Sequence, residues 1–433
     1  MIEQLLFSLI LLAALAFFIK NVRKILRNIN LGRPLDRSDN PAQRFKTMLK
    51  VAFGQSKMVV KPIPAILHFI LYASFIIINI EVLEIVIDGI LGTHRIFAQP
   101  LGSVYTFVIS FFEWLALAVI VGCVIFLIRR NILKLKRFSG VEMTSWPRSD
   151  ANYILYFEIV LMSAFLLMNA TDFKIQQLLN PIYWSAPFPV SSALHSFLPS
   201  DTATLSILER SFWWLHIIGI LVFLNYLPYS KHFHIIMAFP NTWYSKLEPQ
   251  GSLDNMLSVT NEVKVMLDPS FVPSEITLPG KFGAKDVADI SWKSLMDAYT
   301  CTECGRCTEQ CPANITGKLL SPRKIVMDTR DRLTEVGKNI DSKGKYFDDG
   351  KSLLDDYITR EEIWACTSCQ ACIQACPVNI DPLAIILDLR RYAIMEESKA
   401  APSVNMMLGN IENNGAPWKY PPTDRFNWAN TNS

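Results

Sequence analysis

Charged residues are scarce in this sequence, and cysteines are almost absent outside one stretch. Asp, Glu, Lys and Arg make up only 19% of the 433 residues, whereas hydrophobic residues make up 51%. This composition excludes an ordinary water-soluble enzyme and indicates a membrane protein with a soluble part. The basic residues flank apolar segments and do not form a patch with interleaved aromatic residues, so we expect no nucleic-acid partner.

All but one of the nine cysteines form two copies of one pattern, each followed by a proline. The pattern C-x2-C-x2-C-x3-C-P is typical of loops that bind [4Fe–4S] clusters, and in two-cluster proteins the fourth cysteine ligates the other cluster. Zinc and disulfides are the alternatives, and the repeated run with its trailing proline favours iron and sulfur. We predict one cluster on Cys301, Cys304, Cys307 and Cys376, and a second on Cys366, Cys369, Cys372 and Cys311.

Thiolates that hold clusters require reducing surroundings, so this region should face the cytoplasm. The remaining cysteine, Cys123, stands in an apolar segment and is interpreted as a packing residue. No cysteine follows Cys376.

Five apolar segments are long enough to span a bilayer, and the basic residues predict their orientation. Lys and Arg concentrate in residues 20–61 and 129–148, which places these loops inside and the N-terminus outside. Basic residues follow the first segment and do not precede it, so we interpret it as a retained helix and not as a cleavable signal peptide. The predicted spanning helices cover residues 4–20, 62–89, 104–128, 151–170 and 211–236.

The predicted fold class is all-α. A five-helix transmembrane bundle in residues 1–238 is followed by a mainly helical cytoplasmic ferredoxin domain with two [4Fe–4S] loops in residues 239–398. Residues 399–433 are rich in Asn, Pro and Gly, and predict an extended tail that docks a partner or is disordered. Apolar residues at helical spacing predict an amphipathic helix at 253–267. Further helices are expected at 291–299, which leads into the first cysteine loop, and at 321–333 and 381–397, which follow the two loops.

Histidines in bilayer-spanning segments are costly and usually functional. His68 and His234 are both predicted near the inner side, on the second and fifth helices, so depth pairs them as axial ligands of a b-type haem. The alternative is two polar residues that face a cavity or a quinone. In an unbroken helix His216 would share the face of His234 five turns away, and His232 would point to the other side.

A second, outer haem would need a partner for His216, and the outer half of the second helix has no histidine. Met162 and Met168 on the fourth helix are conceivable ligands, although a methionine on an apolar helix usually packs. His94 and His195 are interpreted as loop residues.

The segment from His216 to His234, with Pro-Tyr-Ser-Lys at 228–231, resembles the haem b gamma subunit of respiratory nitrate reductase. In that family two haems use histidines of the second and fifth helices. His68, His216 and His234 match three of the four positions, and Ile78 stands at the fourth. The resemblance therefore implies one haem b and leaves a second one open.

The double cysteine run resembles the ferredoxin part of heterodisulfide-reductase-like proteins. Its fusion to such a membrane part is similar to membrane-bound iron–sulfur oxidoreductases of the heterodisulfide reductase D/E type, and to proteins that link electron-transfer flavoprotein to quinone. Gly-Gln-Ser-Lys at 54–57 and the segment 410–418 carry this resemblance, with Ala416 where Asn is usual. Such proteins continue into a domain with paired CCG motifs. The resemblance thus implies a heterodisulfide reductase B/D-like CCG-domain partner, docked by the tail around Trp418 and Arg425.

The function implied by the resemblance is an oxidoreductase subunit in the inner membrane that relays electrons between a cytoplasmic partner and a membrane quinone. No residue is assigned a catalytic role, and Lys231, Trp213 and Trp214 are the nearest candidates for a quinone site. Two alternatives remain open. One is a haem-free iron–sulfur anchor that docks a cytoplasmic reductase, and the other is a structural or sensory subunit of a larger membrane assembly.

Overall fold

The computed structural model describes residues 1–138, 140–179, 188–273 and 281–430. Within these ranges the chain is helical, with two isolated bridges and no strand, which confirms the all-α fold class. Contacts divide the chain into two compact units. The first unit comprises Met1–Arg27, Asn40–Trp243 and Tyr299–Gly305, and the second comprises Asn28–Asp39, Tyr244–Ala298 and Arg306–Ser433.

The helices that begin the chain include five that are long and apolar enough to cross a membrane. These five are α1, α3, α5, α6 and α7, and neighbours among α3, α5, α6 and α7 pack against each other. The bounds are α1 (Ile2–Ile29), α2 (Pro41–Met48), α3 (Pro62–Leu91), α4 (Ala98–Leu101), α5 (Ser103–Leu127), α6 (Trp146–Leu179), α7 (Thr202–Tyr226) and α8 (His234–Trp243).

Local sequence signals explain where the spanning helices begin and end. Helix α3 starts at Pro62, whose missing N–H is harmless in a first turn, and stops at Gly92, which adopts a left-handed conformation with φ of 72°. Helix α7 starts after Asp201, whose carboxylate accepts a hydrogen bond from the Thr204 N–H at 2.8 Å.

Two spanning helices differ from their predicted bounds. Helix α6 continues to Leu179, beyond the predicted end at residue 170, because Asp172 is paired with Arg95 at 2.6 Å. Helix α7 ends at Tyr226 and does not continue to residue 236. Pro228 interrupts it, and two 3-10 turns at 227–229 and 231–233 lead into α8.

The remaining helices belong to the later part of the chain, which also carries the cysteine loops. Ser321 and Asp381 cap two of them, by accepting hydrogen bonds from backbone N–H groups at 3.3 and 3.0 Å. The bounds are α9 (Leu257–Leu267), α10 (Trp292–Thr300), α11 (Arg306–Glu309), α12 (Pro312–Ile315), α13 (Pro322–Lys343), α14 (Leu353–Asp356), α15 (Arg360–Ala365), α16 (Ala371–Ala375), α17 (Pro382–Met395), α18 (Pro402–Asn414) and α19 (Asn427–Asn430).

The C-terminal tail contains structure that its composition did not predict. Helix α18 occupies the segment expected to be extended, and it ends at Gly415 with φ of 63°. The chain then folds back, because Asn410 donates to the Pro417 carbonyl at 3.0 Å and Arg425 donates to the Asn414 carbonyl. The tail is therefore a short helical hairpin over these residues.

Candidate redox centres

The two cysteine loops have the same local backbone conformation. Glu303 and Gly305 in the first loop have φ of 55° and 73°, and Ser368 and Gln370, at the same positions of the second loop, have φ of 56° and 60°. Positive φ is uncommon outside glycine and marks a functional constraint. Residues in this left-handed conformation turn successive N–H groups inward and form the anion-binding concavities found at iron–sulfur sites.

Each loop also donates a backbone hydrogen bond to its own first cysteine. The N–H of Glu303 lies 3.4 Å from Cys301 Sγ, and the N–H of Ser368 lies 3.4 Å from Cys366 Sγ. Hydrogen bonds to ligating sulfurs stabilise the thiolate and help to set the potential of a cluster. The repeated geometry fits the iron–sulfur chemistry inferred from the spacing.

One predicted cluster site lies wholly in the second unit. Cys311, Cys366, Cys369 and Cys372 line a single cleft together with Leu383 and Ile386. The structure thus brings the last cysteine of the first run to the first three cysteines of the second run, which is the crossed grouping predicted from the sequence. Cys369 is exposed at this cleft and Cys311 is buried.

The other four predicted ligands are divided between the two units. Cys301 and Cys304 belong to the first unit, and Cys307 and Cys376 belong to the second. Cys301 and Cys376 are buried, and the N–H of Ile380 lies 3.3 Å from Cys376 Sγ. The assignment of these four cysteines to one cluster stays a prediction from their spacing.

The cysteines are free thiols, and none forms a disulfide. Among the residues that the structure describes, no three His, Cys, Asp or Glu side chains lie close enough to hold a single metal ion. Burial raises the pKa of the Cys366 and Cys372 thiols. Both are therefore protonated at neutral pH without a metal, and loading with iron must release their protons.

His68 and His234 face each other in the first unit. Their ring centroids are 6.4 Å apart and their planes are inclined by 42°. His68 Nδ1 lies 3.1 Å from Gln55 Oε1, and His234 Nδ1 lies 3.0 Å from the Lys231 carbonyl. A histidine that donates through Nδ1 carries its lone pair on Nε2, and this arrangement is usual for metal-binding imidazoles.

His216 is buried without a histidine partner among the described ring contacts. Its Nδ1 lies 2.9 Å from the Leu161 carbonyl, and its ring centroid lies 6.0 Å from that of Phe165. Met162 and Met168 are both buried on α6. The structure shows no described residue pairing with His216 in the way that His68 pairs with His234.

His232 does not lie on the opposite side from His234, as an unbroken helix had predicted. Its ring centroid lies 5.6 Å from that of His234 and 5.3 Å from that of Phe223. The reason is the end of α7 at Tyr226, after which the 3-10 turns change the direction of the side chains. Three histidines therefore meet at this end of the first unit.

An ion pair joins this histidine group to the first cysteine loop within the first unit. Lys231 Nζ donates to the Glu303 carboxylate and to the Pro147 carbonyl, the latter at 2.6 Å. Glu303 lies between Cys301 and Cys304, while the carbonyl of Lys231 accepts from His234. Sequence reasoning named Lys231 only as a possible quinone contact and missed Glu303, because their pairing depends on tertiary structure.

Acidic residues inside the apolar helices were also missed. Glu81, Glu84 and Asp88 on α3 and Glu113 on α5 are all buried. An ionisable side chain in a bilayer-spanning segment is by itself a signal of function, and that signal is present in the sequence.

Comparison with known proteins places these features among iron–sulfur oxidoreductases. Residues 300–380 match the family described as 4Fe-4S dicluster domain. The chain is 30% identical to a probable iron-sulfur-binding oxidoreductase, FadF, from Bacillus subtilis, over 98% of this chain and 60% of that protein. It is 26% identical to the EtfAB:quinone oxidoreductase of Syntrophomonas wolfei, over 91% of this chain and 55% of that protein.

A third relative matches a shorter part of the chain. One subunit of the ferredoxin/F(420)H(2)-dependent CoB-CoM heterodisulfide reductase from Methanosarcina acetivorans is 33% identical over 23% of this chain and 49% of its own length. No solved structure matches the chain. The chain thus spans less than two thirds of each of these relatives, which share its iron–sulfur character.

Proposed function

We propose that this chain is the membrane-bound electron-transfer part of an iron–sulfur oxidoreductase. It relays electrons between a cytoplasmic redox partner and a membrane quinone through two [4Fe–4S] clusters and one haem b. Similarity to iron–sulfur oxidoreductases over nearly the whole chain supports the electron-transfer role. The observation that carries the haem is the facing pair His68 and His234.

The separation of these two rings fits a single metal bound between them. Metal–imidazole bonds are about 2.0 Å long, so two imidazoles that would share one iron have to lie only a few ångströms apart. The observed distance is 6.4 Å. Direct stacking of two rings or a hydrogen bond between them would not require this spacing.

Haem and clusters bound at these sites supply one-electron transfer, so two-electron partners such as flavins and quinones react in single steps. Neighbouring groups of this chain orient the residues that would ligate the haem and the first cluster. Gln55 and the Lys231 carbonyl fix the Nδ1–H tautomers of His68 and His234. The buried pair of Lys231 with Glu303 fixes the first cysteine loop relative to the segment that carries His234.

The partners in this proposal follow from the relatives and from the tail. Electron-transfer flavoprotein is one partner, as the name of the Syntrophomonas relative indicates. A CCG-domain subunit of the heterodisulfide reductase B/D type is the other, supported by the likeness to a heterodisulfide reductase subunit. Trp418, Tyr420 and Phe426 in the tail are exposed, and exposed aromatic residues are favoured anchors of protein interfaces.

In the proposed topology the protein lies in the inner membrane with its N-terminus outside and its clusters on the cytoplasmic side. The five apolar helices support the membrane location. The basic loops at 20–61 and 129–148 support the orientation.

A dithionite-minus-oxidised visible spectrum of the purified protein, with haem and iron quantified, tests the proposal. We expect about one haem per chain and roughly eight further irons, as two four-iron clusters. His68→Ala and His234→Ala should each abolish the haem band and leave the cluster iron unchanged. His195→Ala, which removes a histidine far from this pair in the chain, should keep the haem.

Other results would contradict specific parts of the proposal. A haem that survives in His234→Ala but not in His232→Ala would assign the ligand to the neighbouring histidine. Two haems in the native chain would give His216 a ligand that the structure does not show. Iron without any haem would leave the chain as an iron–sulfur anchor and remove the relay.

A further inference from the structure

Three acidic residues form a ladder along one face of α3. Glu81, Glu84 and Asp88 follow at spacings of three and four residues, which places each next to the one before it. They cover about 10 Å of helix axis. All three are buried, but Asp88 accepts a hydrogen bond from the Thr93 hydroxyl, and Thr93 is exposed. The ladder therefore leads from the surface into the first unit.

The ladder belongs to a buried network with more negative than positive groups. Arg95 donates to Asp172 at 2.6 Å and to the Tyr105 hydroxyl at 3.2 Å, and Tyr105 donates to Glu84 at 2.7 Å. The cations that face the network are Arg95, the more exposed His94 and Arg210. His94 contacts Asp172 at 3.2 Å, and Arg210, which is paired with Glu209, also interacts electrostatically with Asp172. Opposite them stand the carboxyl groups of Glu81, Glu84, Asp88, Glu113 and Asp172. Buried carboxylates this close together cannot all be ionised, so the network holds at least one proton.

The hydrogen bonds show which carboxyl group holds that proton. The Glu84 carboxyl group accepts two hydrogen bonds, from the Phe97 N–H and from the Tyr105 hydroxyl. The carboxyl groups of Asp88, Glu113 and Asp172 each accept three hydrogen bonds.

Glu81 differs from these four acids. Its Oε2 is buried and makes no hydrogen bond to any described residue, so at this oxygen no donor stabilises the ionised form, and only the charge of Arg95 favours it. The Ser74 hydroxyl, two turns further in on the same face, is also buried without a described partner. Unsatisfied buried polar atoms two turns apart on one helix face mark a place where a further polar group must bind. The inner end of the ladder is therefore a place to receive or donate a proton.

We propose that Glu81, Glu84 and Asp88 conduct protons between the exposed end of α3 and the interior of the first unit. This inference rests on the proposed function. Reduction of a quinone to a quinol takes up two electrons and two protons, and oxidation of a quinol releases them. Clusters and haem held by the predicted ligands would carry the electrons. In quinone reduction Glu81 gives its proton to a quinone oxygen and takes another from Glu84. In quinol oxidation Glu81 first passes its proton to Glu84 and then takes one from a quinol oxygen.

The rest of the ladder restores Glu81 to its starting state. Glu84, one turn away, exchanges a proton with Glu81 directly or through one water molecule. Asp88 exchanges with solvent beside Thr93. Arg95 takes no part in the transfer because a guanidinium does not release its proton in proteins. It holds Tyr105, which in turn orients Glu84.

The test compares the native chain with Glu81→Gln and Glu81→Asp, each reconstituted in liposomes with duroquinol as the reductant. A redox-induced infrared difference spectrum of the native chain should show a carboxylic C=O band that shifts in D2O. The band should be absent in Glu81→Gln and displaced in Glu81→Asp. Haem reduction by duroquinol should slow by roughly 100-fold in Glu81→Gln and recover in part in Glu81→Asp. Reduction by dithionite should stay unchanged, because it needs no proton at the quinone.

The matched control is Glu158→Gln, which removes a carboxyl group of α6 outside the ladder and should behave as the native chain does. A C=O band that persists in Glu81→Gln, or an unchanged rate with duroquinol, would overturn the ladder and leave the electron relay intact. A native chain that dithionite reduces but duroquinol does not would instead remove the quinone reaction, and the role of the ladder with it.

Discussion

Replacing Lys231 by methionine should destabilise the first unit and release the loop that this lysine holds. The side chains of Lys231 and Glu303 are only 8% and 3% exposed. Methionine keeps the apolar stem of the side chain but removes the cation that pairs with the buried Glu303 carboxylate, and with that of Asp150 at 4.0 Å. Removing one partner of a buried ion pair costs about 3–5 kcal/mol, which lowers the ratio of folded to unfolded protein by roughly two to three and a half powers of ten.

Besides lowering the stability of the first unit, Lys231→Met should disturb the first cysteine loop itself. Glu303 stands between Cys301 and Cys304, and its N–H donates to Cys301 Sγ. Loosening its side chain removes the fixed geometry of the first loop, while the second loop keeps its own hydrogen bonds. We therefore expect Lys231→Met to lose about half of the cluster iron, from the site predicted on the first loop. Iron quantification and the electron paramagnetic resonance spectrum of the reduced protein will measure this loss.

A double-mutant cycle decides whether the ion pair is the cause. Lys231→Met, Glu303→Gln and the double variant are unfolded with guanidinium in detergent and followed by tryptophan fluorescence. Because the double variant removes both charges of the Lys231–Glu303 pair and leaves only Asp150 without its lysine, it should be less destabilised than the sum of the single variants by about 2 kcal/mol or more. Losses that add within about 0.5 kcal/mol would show that the two side chains act independently, and would refute this reasoning.

Three further outcomes are expected. Gln55→Leu removes the side-chain oxygen that lies 3.1 Å from His68 Nδ1 and orients the His68 ring. It should weaken haem binding roughly 10- to 100-fold in a haem titration. Cys369→Ser should lower the cluster iron and alter one of two cluster signals, whereas the buried lone thiol can be changed by Cys123→Ser without loss of iron. Asp349, bonded to Arg332 at 2.6 Å, has its pKa lowered to about 2. Its contribution to stability is therefore full above about pH 4 and is lost between about pH 4 and pH 2. Arg332→Gln should reduce this pH dependence in thermal unfolding, while the Lys351 N–H and the charge of Lys351 keep part of it.

The positions of the spanning helices could be predicted because apolar composition determines which segments cross a bilayer. Their ends could not be predicted equally well. The fourth span was predicted to end at residue 170 because Asp172 was expected to be exposed to water. In the structure Arg95, 77 residues earlier in the chain, pairs with Asp172 and neutralises its charge. The predicted end of the fifth span at residue 236 gave too little weight to Pro228, although proline is the strongest helix breaker in the sequence.

The predicted redox ligands divide in the same way. Cysteine spacing alone grouped the four residues that the structure places in one cleft, because each ligand loop is a local feature. Depth in the membrane paired His68 with His234, and their rings do face each other. The contacts of Glu303 and Glu81 could not be predicted, because they depend on how separate helices pack. The place of His232 depends on the turn after α7.

The membership of the first cysteine loop has a consequence for biogenesis. Residues 299–305 belong to the same compact unit as the apolar helices α3, α5, α6 and α7, whereas the four cysteines of the cleft lie entirely in the second unit. Cys301 and Cys304 thus reach their final positions only after the helices have been inserted and have packed. The cleft depends only on the later part of the chain. We therefore expect the two iron–sulfur sites to mature in a fixed order, with the cleft filled first and the site on the first loop completed once the protein is assembled in the membrane.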